Sequence, residues 1–261
     1  MSNASDIPQP PWQRSPKRAS KRKREPITQE AIVDKAIEVL DAEGLDGLSM
    51  RRIAEELGTG AASLYWHVGS KDGLLDLIFD RIIAEQHVPD PDPDRWQEQV
   101  KEVARNMRRA IGSHRDVVEL SLGRIPMGPS ALEWSERALA ILRAGGVPDR
   151  LAVRGLWLLT SVVNGFTMDE NADYTPTTGE TEVTDEAAAM ASRYIASLPA
   201  DRFPNMVELA GEYQAIDRDE SFELLLDLFV DGLAKRASSE SGHGTGTSKR
   251  QAARPPRRGK P

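Results

Sequence analysis

Apolar residues recur every three to four positions along most of the chain, and no segment shows the alternation that is typical of a strand. The first such stretch is ITQEAIVDKAIEVLDAEGLDGL, where Thr28 is placed to cap the start of a helix and Gly44 to end it. The positions on its apolar face are Ile32, Ala36, Val39 and Leu40. The pattern predicts an all-α fold.

Three shorter helices are predicted next. Ser49 is expected to cap the helix in SMRRIAEELG, which Gly58 stops, with Met50 facing inward. The stretch TGAASLYWHV forms the third helix, and Ser70 caps the fourth, KDGLLDLIFDRIIAEQ. The prolines of VPDPDPDRW end it, because proline lacks the backbone donor that a helix needs.

Longer helices follow, and a polar loop is expected at 172–183. The predicted ranges are roughly 94–112, 130–145, 149–171, 184–197 and 218–236. The last helix has a wide apolar face, formed by Phe222, Leu225, Leu226, Phe229, Val230 and Leu233. A face of this size is not expected to remain in water.

The net charge of −7 is unevenly distributed. Residues 1–26 carry +5 and residues 236–261 carry +6, which leaves −18 on the segment between them. An acidic body is not expected to bind a polyanion over its whole surface, whereas the two basic tails can do so locally. The run KRASKRKR at 17–24 is either a solvated tail or an arm that reaches DNA phosphates or the minor groove. The C-terminal run KRQAARPPRRGK is either a solvated tail or a segment with a specific role.

Composition and motifs also exclude several classes of protein. Cysteine is absent, which fits a reducing cytoplasm and rules out disulfides and cysteine metal sites. We find no apolar run of about 18 residues for a membrane span and no signal peptide. The four histidines show neither metal spacing nor a paired nucleophile, and nucleotide-binding motifs are missing. We therefore expect a cytoplasmic protein that is not an enzyme and needs no metal or cofactor.

The second and third helices have the form of a helix-turn-helix, with LGTG as the turn. Tyr65 and Trp66 are either core aromatics or, as we favour beside this motif, contacts to sugar and phosphate. Lys71 adds a cation and free backbone donors for a phosphate. Small residues that let the third helix approach base edges are Gly60, Ala61, Ala62 and Ser63.

These segments resemble a known family. GLDGLSMRRIAEELGTGAASLYWHVGSKDGLLDLI is similar to the DNA-binding domain of the tetracycline-repressor (TetR) family. RWQEQVKEVARNMRRAIGSHRDVVELSLGRIPMGPSALEWSERALAILRAGG resembles the regulatory core of the subgroup closest to the tetracycline repressors, and FELLLDLFVDGL resembles its last dimer helix. The resemblance covers roughly residues 27–235.

The resemblance implies a cytoplasmic, ligand-responsive regulator with four parts. These are a disordered basic arm (1–26), a helix-turn-helix domain (27–72), a ligand-binding and dimerisation domain (73–236) and a disordered basic tail (237–261). It also implies a homodimer that reads a palindromic operator in double-stranded DNA, from which an inducer releases it by swinging the fourth helix. The matched DNA-contacting positions are Ser49, Met50, Arg51, Gly60, Ala61, Ala62, Ser63, Tyr65, Trp66, His67 and Lys71.

The chain departs from the tetracycline repressors where they hold their drug. Where the tetracycline repressors have a metal-binding histidine, this chain has Ser121, and a neighbouring threonine is replaced by Arg124. An asparagine and a phenylalanine that contact the drug are replaced by Val103 and Met107. His67 alone is retained; it is also read as a packing or capping residue. We therefore expect a mostly apolar inducer, with an acidic group meeting Arg124 if that side chain points inward, and no metal. Further candidate pocket residues, which are otherwise plain core, are Met127, Trp134, Trp157, Phe166 and Met168.

The wide apolar face of the last helix is expected at the dimer interface, in a four-helix bundle built from helices 149–171 and 218–236 of each chain. A constitutive or nucleoid-type DNA-binding protein without an inducer is the alternative function. The tails favour that alternative, and the acidic body argues against it.

Overall fold

The computed structural model describes residues 27–171 and 185–243. The basic arm, the loop expected at 172–183 and the end of the basic tail lie outside the described residues. The described residues form helices and no strand. The helices are α1 (Gln29–Gly47), α2 (Met50–Glu56), α3 (Ala61–Val68), α4 (Lys71–Ile83), α5 (Trp96–Gly112), α6 (Val117–Ser121), α7 (Pro129–Ala144), α8 (Asp149–Asn171), α9 (Asp185–Ala196), α10 (Pro204–Glu208), α11 (Ala210–Gln214) and α12 (Arg218–His243).

Most predicted helices are present, with three kinds of difference. Gly44 does not end α1 but kinks it, with φ of 75°, and a last helical turn follows. The final helix runs to His243, beyond the end expected at residue 236. The short helices α6, α10 and α11 were not predicted, because five residues are too few to show a helical repeat.

A head is formed by α1, α2, α3 and the beginning of α4. Its core contains Ile32, Leu40, Ile53 and Leu64, all fully buried. The expected caps are in place, since the hydroxyl oxygens of residues 28, 49 and 70 each accept from the backbone N–H of the third residue of the helix that follows.

A larger body is built around α8, which packs against α5, α6, α7 and α12. By length and composition α8 is apolar enough to cross a bilayer, with a mean hydropathy of 1.2, contrary to the expectation that the chain has no such run. A third of this stretch is buried within the chain, at 33%, and one weakly apolar helix of this kind is not a clear membrane span. The helix α4 contacts α1, α5, α6 and α7, and so belongs to both the head and the body.

The apolar face of α12 packs inside its own chain and not, as we expected, against a second protomer. Phe222, Leu226, Val230 and Leu233 are buried inside this chain, where α12 packs against α5 and α8. Ion pairs fix this orientation, including one between Arg105 on α5 and Glu223 on α12 at 2.7 Å. These four side chains are therefore covered within one protomer, and their assignment to a dimer interface is corrected. The other two, Leu225 and Phe229, are half-buried at the edge of the same face.

The helices α9, α10 and α11 pack mainly on one another. The hydroxyl of Ser192 on α9 is buried and donates to the backbone oxygen of Ala210 at 2.7 Å, which joins α9 to α11. Several large apolar side chains of this cluster remain exposed, namely Met190, Tyr194, Leu209, Tyr213 and Ile216.

Candidate nucleic-acid interface and ligand cavity

The third helix presents one face to the head and the other to solvent. Leu64 and Val68 are buried and anchor the helix. Trp66 is 90% exposed and Tyr65 is about half exposed, so neither serves as a core aromatic. Both aromatic side chains are therefore accessible to a partner on this face of α3. The smaller residues expected beside DNA lie at the start of α3, where Gly60 caps it, Ala62 is exposed, and Ala61 and Ser63 are half-buried.

Three residues around the start of α2 were expected at DNA, and they have different surroundings. Met50 is buried in the core of the head, so its assignment as a DNA contact is corrected. The hydroxyl oxygen of Ser49 accepts from the N–H of Arg52 at 3.1 Å, which makes it a helix cap on the surface. The side chain of Arg51 is 88% exposed and forms an ion pair with Glu55, one turn along α2, at 2.9 Å. An ion pair this exposed is weak enough to open for a base or a phosphate.

The junction between α3 and α4 is tight. Gly69 has φ of 75°, a conformation that favours glycine. A Cβ on Gly73 would lie 2.5 Å from the backbone oxygen of Val68, so only glycine lets the two helices approach this closely. Lys71 and His67 are both exposed on either side of this turn, and the backbone oxygen of His67 accepts from Gln29 at 2.7 Å. The side chain of His67 is exposed to solvent at this turn rather than buried in the body.

The body contains an apolar cavity of about 420 Å³, between α4, α5, α7 and α8. Four of the predicted pocket residues line it: Met107, Met127, Trp134 and Trp157. Sequence reasoning missed the remaining lining residues, which are Phe79, Ile83, Gln86, Ile111, Pro126, Ala131, Ser135, Leu139, Val153, Leu156 and Thr160. Phe79 and Ile83 lie one turn apart on α4, next to the apolar residues of that helix that pack in the core. This second row of apolar positions on α4 could have predicted that the helix also lines a cavity.

The other predicted pocket residues lie elsewhere. Val103 is buried beside a void of about 10 Å³. The hydroxyl of Ser121 donates to the backbone oxygen of Val118 at 2.6 Å, at the end of α6. Met168 is exposed on the outer side of α8. Phe166 packs on Phe222 with ring centroids 5.0 Å apart. These four residues, and His67, do not line the cavity of about 420 Å³, so their assignment to this cavity is corrected.

Arg124 does not point into the cavity. Its guanidinium donates to Asp76 at 2.5 Å and to Asp72 at 3.3 Å, both on α4, and to the backbone oxygen of Leu120 at 3.0 Å. The cation is thus already paired with two carboxylates, and the expected meeting with an acidic group of the ligand is corrected. Its role here is to join the segment after α6 to the fourth helix.

A row of aspartates on α4 makes these contacts. Asp72, Asp76 and Asp80 lie one turn apart, on the side of α4 that faces the segment from α6 to α7. Asp80 accepts from the backbone N–H groups of Ser130 and Ala131, at 3.3 and 3.0 Å, where free donors at the start of α7 favour a negative charge. Since α7 and the preceding residues also line the cavity, α4 and the cavity wall are connected directly.

A second junction between head and body surrounds His114. Its Nδ1 lies 3.0 Å from Asp41 on α1 and its Nε2 lies 3.1 Å from Glu85, just after α4. Beside it, Asp116 accepts from the backbone N–H of Leu45 at 2.8 Å. Burial of the ring, the largest influence, acts to lower the pKa of His114, but hydrogen bonds to the two carboxylates outweigh it, so the pKa is raised. A protonated ring is needed to donate from both nitrogens at once.

This arrangement predicts a pH dependence of stability. Because the pKa of His114 is raised in the folded chain, its charged form stabilises the fold below the ordinary pKa of about 6.5, and this contribution is lost as pH rises through the folded value. Replacing His114 with glutamine should therefore lower the free energy of unfolding more at about pH 6 than at about pH 8. Denaturant titrations at both values measure it. His87→Gln, at an exposed histidine outside the cluster, serves as the control. Equal differences at both pH values would contradict the role of the charge.

The described residues contain no group of three or more histidine, cysteine, aspartate or glutamate side chains placed to hold a metal ion. The walls of the cavity are mostly apolar.

Two family models match the chain, and their boundary falls close to the junction of head and body. Residues 32–78 match "Bacterial regulatory proteins, tetR family", and residues 88–237 match "Tetracyclin repressor-like, C-terminal domain". The chain belongs to the TetR family.

Similar proteins come from several bacteria. The HTH-type transcriptional repressor DrrR1 of Streptomyces coeruleorubidus is 30% identical over 231 residues, which is 87% of this chain and 84% of the relative. Tetracycline repressor protein class A from transposon 1721 of Escherichia coli is 31% identical over 208 residues, or 78% of this chain and 89% of the relative. The crystal structure of the TetR family protein ActR of Streptomyces coelicolor with actinorhodin has a TM-score of 0.76 and 44% identity, and covers 83% of this chain and 99% of that one.

The all-α architecture, with an N-terminal helix-turn-helix and a larger helical domain, is that of the TetR family. Members of the family are transcription factors, and this TetR-family chain is a ligand-responsive, DNA-binding transcriptional repressor.

Proposed function

We propose that the chain forms a homodimer that binds a palindromic operator and releases it when a mostly apolar small molecule enters the cavity between α4 and α8. The observation that carries this proposal is the position of α4. Its first turn abuts the recognition helix α3 through Gly73, and its last turns, with Phe79 and Ile83, form part of the cavity wall. One rigid element therefore contacts both sites.

The DNA side of the proposal rests on exposed residues of the head. Trp66, Tyr65 and Lys71 are available for sugar and phosphate, and Ala62 brings the backbone of α3 close to base edges. Arg51 is available for a base or a phosphate. Phosphate contacts position the protein, whereas the small residues and Arg51 would supply sequence preference.

The ligand side rests on the shape and chemistry of the cavity. Its volume of about 420 Å³ lies within the range usual for small-molecule sites. A ligand that presses on Phe79 or on the segment around Met127 favours a different position of α4, because Arg124 and Asp80 link that segment to it. The ligand releases DNA only if it binds this second position more tightly. ActR was crystallised with actinorhodin, and the residues that line this cavity suit a ligand of similarly organic character.

The dimer surface is the outer face of α8 and α12, which pack side by side. Leu158 on α8 and Leu224 and Leu228 on α12 are exposed there. Gly165 and Gly232 lie on the same outer face, and a Cβ on either would meet nothing in this chain. Because glycine weakens a helix interior by about 0.5–1 kcal/mol, its presence on an exposed face suits the close approach of a second pair of helices.

The direct test is selection of bound sequences from random DNA, followed by titration at several salt concentrations. We expect an enriched palindrome and a log–log salt slope whose magnitude falls by about 1.8 when Lys71 is replaced by alanine, since each of the two heads loses one phosphate contact worth about 0.9. Lys71→Ala should weaken selected and unrelated sequences by similar factors, because phosphates carry no sequence information.

Lys101→Ala provides the matched control, since this lysine pairs with Asp227 in the body, away from the head. It should leave the slope unchanged. If no sequence is enriched and all DNA is bound with one affinity, the chain is a nucleoid-type protein and the operator proposal is wrong.

A further inference from the structure

The lining of the cavity favours an uncharged ligand that contains rings. Among the described residues, no charged side chain lines it. An ionised group that leaves water for such a site without a partner is strongly disfavoured. Three aromatic residues from three helices contribute to the walls, Phe79, Trp134 and Trp157, and rings pack favourably against other rings. The part of a ligand that occupies the cavity is therefore expected to be neutral and to contain rings.

The polar side chains of the lining differ in what they leave free. Besides the two indoles, they belong to Gln86, Ser135 and Thr160. The hydroxyl of Thr160 donates to the backbone oxygen of Trp157 at 2.9 Å, within its own helix. The side chains of Gln86 and Ser135 form no hydrogen bond with any residue that the structure describes. These two side chains are therefore the ones that can offer a free donor to a ligand.

The hydroxyl of Ser135 is unpaired without being enclosed. The buried side-chain atoms that lack a partner in the described part of the chain are Nε1 of Trp134, Oδ1 of Asn164 and Oγ1 of Thr167, and Oγ of Ser135 is not among them. This oxygen therefore retains accessible surface. Its neighbour Trp134 presents only the ring to the cavity, because Nε1 is enclosed.

The position of Ser135 on α7 directs its hydroxyl to the cavity. Ala131, Ser135 and Leu139 follow one another at intervals of four residues, so they share one face of α7, and all three line the cavity. The oxygen of Ser135 lies only one bond beyond Cβ, and it cannot reach around the helix to another surface. Ser161 and Ser238 donate to the backbone oxygen four residues earlier in their helices, whereas Ser135 does not. Its proton remains available on the cavity side.

We propose that the hydroxyl of Ser135 is the polar anchor of the cavity, and that it donates to a neutral carbonyl oxygen on a ring-containing ligand. A free hydroxyl proton needs an acceptor, and a carbonyl supplies one without a charge. This inference rests on the proposed function, since it assigns the ligand chemistry of the same cavity. The apolar walls supply affinity, and the hydroxyl fixes which edge of the ligand faces α7.

Two probes of nearly equal shape test the anchor: 9-fluorenone, which carries a ketone oxygen, and fluorene, which lacks it. Equilibrium dialysis with the full chain measures the dissociation constant of each. The ratio of the two constants should favour the ketone by about fivefold more in the wild type than in Ser135→Ala, the difference expected for one neutral hydrogen bond. Ser135→Ala removes a single oxygen atom, and it should fold because alanine is the residue best suited to a helix interior.

Thr160→Val is the matched control. It also removes a hydroxyl from the wall, but one that already donates to the backbone, so the wild-type ratio should be kept. Gln86→Met removes the other unpaired polar side chain of the lining and should keep the ratio as well. An unchanged ratio in Ser135→Ala, or an equal loss in Gln86→Met, would overturn the anchor. Failure of both probes to bind the wild type would overturn it too.

Operator titration in the presence of each probe separates this inference from the proposed function. If 9-fluorenone binds with the expected ratio but leaves the operator bound, the anchor is supported and release by the ligand has failed. If both probes release the operator and the ratio is the same in the wild type and Ser135→Ala, the repressor mechanism stands and the anchor is wrong.

Discussion

Replacing Leu228 with aspartate is expected to convert the dimer to monomers and to lower operator affinity by about a hundredfold or more, because the two heads no longer bind as one unit. Leu228 is 67% exposed in the single chain and lies beside Leu224 and Leu158 on the outer face of α8 and α12. In a two-fold bundle the new carboxylate would be buried near its own copy, where like charges repel and neither has a partner. Light scattering measures the oligomeric state, and titration with labelled operator measures the affinity.

Leu132→Asp is the matched control, because this leucine is also exposed but lies on α7, away from the proposed bundle. It should remain dimeric and bind the operator with nearly wild-type affinity. A dimeric Leu228→Asp protein would show that the outer face of α12 is not the interface.

Replacing Leu226 with alanine is expected to destabilise the fold by roughly 2–5 kcal/mol, the usual cost of a large cavity in a packed core. Leu226 is fully buried between α12 and the body, only two positions from Leu228. The two leucines therefore separate the stability of the protomer from the stability of the dimer. Denaturant unfolding at several protein concentrations measures both, since only dissociation depends on concentration.

Leu228→Ala is the partner variant in this experiment. It should change the free energy of unfolding of the protomer by less than about 1 kcal/mol. It should also raise the dissociation constant of the dimer. If Leu226→Ala unfolds like the wild type and Leu228→Ala does not, the inner and outer faces of α12 have been assigned the wrong way round.

The periodicity of the sequence was sufficient to place the long helices and the helix-turn-helix. Local signals carried these predictions, since Thr28, Ser49 and Ser70 cap helices in the structure as expected. Residues such as Leu64 and Val68 anchor α3 and leave Trp66 outside. Each of these features depends on neighbours within a few positions of the chain.

The error on α12 has a simple cause. An apolar stripe shows that one side of a helix will be covered, but it does not show whether the same chain or a second chain covers it. Phe222 and Leu226 are covered by α5 and α8 of their own chain, which a pattern of residues within α12 could not reveal. The interface we now propose uses the weaker stripe with Leu224 and Leu228.

The candidate site was predicted only in part for a related reason. Resemblance placed Met107 and Trp134 at the cavity, where the structure also finds them. It placed Arg124 there as well, but the aspartates that hold Arg124 are about fifty positions earlier in the chain, on α4. A pairing over such a separation depends on the packing of two elements, and composition or spacing alone does not determine it.

The fourth helix can be viewed as a mechanical lever. Its thirteen residues span about 20 Å, with the cavity at one end and the end of the recognition helix at the other. A tilt of about 5° around its cavity end would carry Lys71 through nearly 2 Å, and the tight contact of Gly73 with Val68 would pass that displacement to α3. Direct hydrogen bonds tolerate changes of only about half an ångström, so a small rearrangement at Phe79 would be enough to misalign both heads on their grooves.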